Sequence, residues 1–148
     1  MARDLRSDSK AGMLFIDLDK FKQINDTFGH DAGDVVLLAT AERLKGLIRE
    51  SDLVGRLGGD EFVVWLDLIT DPAEVAKKAQ QIVTELMLPI PYLEQQLQIG
   101  VSIGISIFPH DSNNLIGLLK AADLAMYQAK PSAESAYCFY HAIRQPQA

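Results

Sequence analysis

Four acidic residues in two short stretches carry the chemical interest of this chain. Asp17 and Asp19 close the apolar run Met13-Leu14-Phe15-Ile16, and Asp60 and Glu61 follow the glycine pair Gly58-Gly59. Carboxylates brought together repel one another, and a divalent cation relieves that repulsion. Hard oxygen ligands favour magnesium, manganese or calcium. Magnesium held by one or two carboxylates commonly completes its shell with substrate phosphates. The turn from Leu18 to Lys22 enters a helix, whose free amides, with Lys22, can meet such phosphates. The chemistry these residues suit is metal-assisted phosphoryl or nucleotidyl transfer. Taken singly, acids at strand ends are more often caps or solvated turn residues, so the reading requires a fold that brings the two stretches together.

The elements that would do so are legible from periodicity. Met13–Ile16 has the length and composition of a strand buried on both faces. Side chains alternate along a strand, so Asp17 and Asp19 share a face at its end. Phe21 to Phe28 reads as a short helix stopped near Gly29, and a second helix opens near Asp31 and Asp34. Its apolar stripe is Leu37, Ala41, Leu44, Leu47 and Ile48. Leu53–Leu57 and Phe62–Leu68 form a hairpin across Gly58-Gly59-Asp60-Glu61, since paired glycines permit positive φ in a tight turn. Asp71 caps a further helix that begins at Pro72. Ile99, Val101, Ile103, Ile105 and Ile107 alternate with Gly100, Ser102, Gly104 and Ser106, which predicts a strand with one small-residue face open to close approach. A last helix runs from about Asn114 to Lys130 and stops at Pro131, with an edge strand expected over Ala136–Tyr140. A hairpin among alternating strands and helices points to an α+β protein with a mixed or antiparallel sheet and helices packed on it.

Composition narrows the function. The 148 residues hold 14 Lys+Arg against 20 Asp+Glu, a net charge of −6, which argues against a nucleic-acid polymer as partner. It leaves room for a nucleotide, which needs only a local site and a metal. Cys138 is the single cysteine, which excludes an intrachain disulfide. Met1 to Gly12 lacks the apolar core of a signal peptide, and no run approaches the roughly 18 apolar residues of a membrane span. At 48% hydrophobic residues, disorder is not the main state.

"RLGGDEF", ending at Phe62, resembles the signature of the GGDEF family of diguanylate cyclases. So do "LFIDLDKFKQINDTFGHDAGD" at Leu14–Asp34, "VSIGISIFP" at Val101–Pro109 and "LLKAADLAMYQAK" at Leu118–Lys130, in the family's order and spacing. The resemblance implies a domain over residues 13–141, with 1–12 an unmatched N-terminal segment and 142–148 a C-terminal tail. It implies a nucleotidyl-cyclase or polymerase-palm-like (ferredoxin-like) fold. The implied reaction condenses two GTP to cyclic di-GMP and pyrophosphate. In it, the 3′-hydroxyl of each GTP attacks the α-phosphate of the other across a transient homodimer.

Roles follow the same resemblance. Asp17 and Asp60 would be metal carboxylates and Leu18 would lend its carbonyl, with two Mg2+ (or Mn2+) per active site. Asp60 would also assist deprotonation of the 3′-hydroxyl, and Glu61 is the adjacent acid. Gly58 and Gly59 would leave room for the nucleotide. Asn25 and Asp34 would read guanine, whose N1–H and N2–H suit a carboxylate acceptor. His30 would contact the nucleotide, and Lys22 and Lys130 would neutralise phosphate oxygens. Arg49 and Asp52 match an RxxD inhibitory site for cyclic di-GMP. Asp19, Phe21 and Phe28 are expected to support the fold.

Two departures matter. The D-x-L-T-x-L-x-N-R segment and helix that usually precede the first strand are not matched by Met1 to Gly12, so apolar surface is expected where that helix packs. The family's A-K-x-x-G-R-N becomes Ala129-Lys130-Pro131-Ser132-Ala133-Glu134-Ser135, which puts Glu134 in place of a phosphate-binding arginine. The alternative is therefore a catalytically weak domain that senses GTP or cyclic di-GMP for a partner domain. Sensory or phosphodiesterase domains in a longer parent are expected. So is a bacterial cytoplasmic setting, or the cytoplasmic part of a membrane-anchored parent.

Overall fold

The computed structural model describes residues 9–129 and 137–143. Its elements run β1 (Lys10–Asp19), α1 (Phe21–Phe28), α2 (His30–Leu47), β2 (Leu53–Gly58), β3 (Glu61–Ile69), α3 (Pro72–Leu86), β4 (Ile90–Tyr92), β5 (Gln95–Leu97), β6 (Gly100–Phe108), α4 (Leu115–Ala129), β7 (Tyr137–Phe139) and α5 (Tyr140–Ile143). Five strands form one mixed sheet in the order β2-β3-β1-β6-β7. All its neighbours are antiparallel except β6 and β7.

β1 lies between β3 and β6, and residues 11–18 are all buried. Strand alternation divides them. Leu14, Ile16 and Leu18 enter the larger core with β6's Val101, Ile103, Ile105 and Ile107 and residues of α1, α2 and α3. Met13 and Phe15 face the other way, against Leu118, Ala122 and Met126 of α4. The small face of β6 is what lets α4 settle. A Cβ at Gly104 would collide with the backbone of Ala122 and Met126, and Ser106 Oγ donates to the Leu118 carbonyl at 2.8 Å.

β1 starts at Lys10, three residues ahead of the apolar run, because both neighbours extend that far. Lys10 pairs with Ile69 of β3, and Ala11 with Phe108 of β6. Gly12 permits this, since a Cβ there would press on Val75 Cγ2 at 2.8 Å. Asp71 and Glu74 form a reciprocal capping box ahead of α3, as the Asp71-Pro72 pair suggests. The β4–β5 hairpin has no sequence forecast. Its strands have three residues each, and Leu93 takes φ +51° where a hairpin more often uses glycine or asparagine.

α4 covers β1 and β6 but not the β2–β3 half of that sheet face. An apolar groove of about 550 Å³ remains there, walled by Leu53, Leu57, Val63, Trp65, Leu115 and Leu119. No helix of the described residues is long and apolar enough to cross a membrane.

Candidate active site

The end of β1 and the β2–β3 turn meet. Asp17 stands opposite Glu61 in the β1–β3 register, and the Leu18 N–H donates to the Asp60 carbonyl at 3.1 Å. The N–H and C=O of one extended residue lie on the same side of its strand, so the Leu18 carbonyl faces the turn as well. Asp17 is buried, while Asp60 and Glu61 are half-buried. Acids 43 positions apart in sequence thus adjoin at one sheet edge.

The donors these residues could offer a cation are oxygen only: carboxylates of Asp17 and Asp60 and the carbonyl of Leu18. Among the described residues no group of three or more His, Cys, Asp and Glu is arranged to hold a metal. A cation here would therefore need ligand or water oxygens besides, which is the habit of magnesium with phosphates rather than of a closed structural site. Within the chain, Gly58 and Gly59 answer to backbone conformation. Their φ values are +152° and +50°, and a Cβ on either would meet no described atom within 4 Å.

On the helical side, Gly29 (φ +96°) ends α1 and opens α2, its N–H donating to the Asn25 carbonyl at 2.9 Å. Asn25 lies against Gly33, where any Cβ would strike its Oδ1. That Oδ1 is buried without a hydrogen-bond partner. Asp34 follows Gly33 directly in α2. A buried acceptor without a donor suits a ligand N–H, and guanine's N–H groups are of that kind. Lys22, His30 and Asp34 are exposed. Lys20, the N-cap of α1, takes φ +70° and caps no first-turn amide with its side chain. Asp19 turns towards β6 and accepts from Ser102 Oγ at 2.8 Å, a strand-linking role. Lys130 and Glu134 lie outside the described residues.

The family model described as "Diguanylate cyclase, GGDEF domain" matches residues 1–136. The chain belongs to the GGDEF domain family. The bifunctional diguanylate cyclase/cyclic di-GMP phosphodiesterase MucR of Pseudomonas aeruginosa is 39% identical over 136 residues, 92% of this chain and 20% of MucR. The solved GGDEF domain of TpbB from the same species superposes with a TM-score of 0.85 at 41% identity, over 89% of this chain and 77% of that one. The GGDEF domain of DgcB from Caulobacter crescentus, solved in complex with c-di-GMP, gives 0.78 at 25% identity, over 90% and 79%. The chain spans only 20–32% of the length of the first curated relatives it matches, and MucR is by its name a bifunctional protein.

In this GGDEF domain the RxxD residues are spent on each other. Arg49 Nη2 lies 3.1 Å from Asp52 Oδ1 and Nε donates to Oδ2 at 3.3 Å. The backbone amides of Arg49 and Asp67 each donate to the same carboxylate at 2.9 Å. Arg49 Nη2 also reaches the Asp67 carbonyl. The Asp52 side chain is 1% exposed and that of Arg49 55%. Burial pushes the Asp52 carboxyl up, but the bonds from Arg49 and from the two amides outweigh it and hold the group below the ordinary carboxylate range.

Two further residues, both inside the motifs quoted above but given no role there, shape the site. Gly33 sets Asn25. Arg56, from the other strand of the hairpin, donates from Nε to the Gly59 carbonyl at 3.0 Å. Neither leaves a compositional trace, although an arginine two residues before a glycine pair is well placed to reach back over the turn.

Proposed function

We propose that this GGDEF domain is a diguanylate cyclase that condenses two GTP into cyclic di-GMP across a transient homodimer. The adjacency of Asp17 and Leu18 to Asp60, through the Leu18 amide and the Asp60 carbonyl, carries the reading. Asp17, Asp60 and the Leu18 carbonyl would hold Mg2+ or Mn2+, two ions per site. Bound there, the ions would neutralise phosphate charge and lower the pKa of the 3′-hydroxyl. Asn25 and Asp34 take the guanine edge, and His30 contacts the nucleotide. Lys22 and Lys130 pair with phosphate oxygens, and the space that no described atom fills above Gly58 and Gly59 admits the triphosphate. Asp60, flanked by Glu61, accepts the proton as the 3′-oxygen bonds to the α-phosphorus of the opposing GTP. The α–β phosphoanhydride bond breaks and pyrophosphate leaves with its electron pair. The same exchange in the other direction closes the ring.

Product inhibition at Arg49 and Asp52 belongs to the same proposal. It requires Arg49 to trade its bonds to Asp52 for bonds to cyclic di-GMP. Glu134 favours a second reading, a weak domain that senses GTP or cyclic di-GMP for a partner domain, because a carboxylate there repels triphosphate. Other domains of a longer parent, and a bacterial cytoplasmic setting, complete the proposal.

The test is direct. Purified protein with GTP and Mg2+ is expected to yield cyclic di-GMP by chromatography, and Asp60→Ala none. GTP that binds but stays intact in the wild type would replace the cyclase with the sensor.

A further inference from the structure

Arg56 is not used by the mechanism above. Its partner across the hairpin is Phe62, and cross-strand partners share a face, so the side chain rises on the side of α1 and α2. There Nε is tied to the Gly59 carbonyl at 3.0 Å, while no described residue takes a hydrogen bond or an ion pair from its Nη atoms. The residue is exposed, and β2 is the outermost strand of the sheet. The tether fixes the plane of a five-donor fork and leaves its Nη edge for an anion.

We infer that Arg56 is the phosphate-binding arm of the signature turn, taking an oxygen of the nucleotide that the opposing subunit brings to it. This rests on the cyclase reading, in which each α-phosphate is attacked from the other subunit. The incoming phosphate adds negative charge beside Asp17, Asp60 and Glu61, and a guanidinium at the turn offsets it. The need is sharper in a chain whose expected phosphate-binding arginine is Glu134. Arg56 therefore acts on encounter and rate, and not on how a subunit holds its own GTP.

The experiment compares wild type, Arg56→Ala and Arg56→Lys. Affinity for 3′-deoxy-GTP with Mg2+, which lacks the attacking hydroxyl, is measured by calorimetry, and cyclic di-GMP formation at saturating GTP by chromatography. The inference expects affinity within about two-fold for both variants. It expects the rate to fall about 10- to 100-fold in Arg56→Ala, the size of one charge-assisted bond lost. Arg56→Lys should recover part of it, since the charge returns without the fork. A rate within two-fold of wild type in Arg56→Ala overturns the inference. So does an affinity loss as large as the rate loss, which would put Arg56 on its own subunit's nucleotide. Lysine no better than alanine would leave only a turn-pinning role. A wild type that makes no product sinks the cyclase reading itself. A productive wild type with an unaffected Arg56→Ala sinks the arginine alone.

Discussion

At the scale of single residues, the pair Arg49–Asp52 has two demands on it. Asp52 accepts from two backbone amides and a guanidinium, and it ties the end of α2 to β3 through Asp67. Arg49→Ala should therefore lower unfolding free energy by about 1–2 kcal/mol in urea titration, modest because the guanidinium is largely exposed. The Asp52 carboxyl titrates below its unfolded value near 3.9, so its stabilisation is complete above that pH and is lost as pH falls through the lower folded pKa. Urea titrations across pH should show a constant gap between wild type and Asp52→Asn above about pH 5, narrowing below about pH 4. A loss of product inhibition in Arg49→Ala has meaning only beside such stability data, because the substitution loosens the fold as well as the site.

At the scale of elements, two glycines hold helices at their working distance. Gly33→Ala would push its Cβ into Asn25 Oδ1, the movable end of a side chain, so the amide should swing away. Helix propensity favours alanine by up to about 1 kcal/mol, so the melting temperature should hold or rise while GTP affinity drops about ten-fold. Calorimetry beside a thermal melt would separate the two. Gly104→Ala meets backbone atoms of α4, which cannot swing, and should cost about 1–3 kcal/mol in urea titration.

The same elements show how far sequence reaches. The period-2 run of β6, the cap at Asp71 and the glycine turn before Asp60 are local signals, and each element forms where its signal stands. β4 and β5 are too short for periodicity, and their turn at Leu93 lacks glycine. That Asp17 faces Glu61 is a matter of long-range register, which no window of sequence contains; the resemblance supplied it where spacing could only pose the condition. The tether of Arg56 is a side chain reaching a carbonyl, which the position of an arginine ahead of a glycine pair allows but does not specify.

At the scale of the whole molecule, the proposed reaction, which needs two subunits, should betray its order. In dilute solution specific activity is expected to rise in proportion to protein concentration and to level off once dimers dominate. Activity independent of concentration down to the nanomolar range would require a permanent dimer. The β2–β3 face, which no described helix covers, has a different consequence. Leu53, Leu57 and Trp65 offer a folded chain a greasy furrow. A dye that fluoresces on apolar surfaces should therefore glow with the native protein before any urea is added.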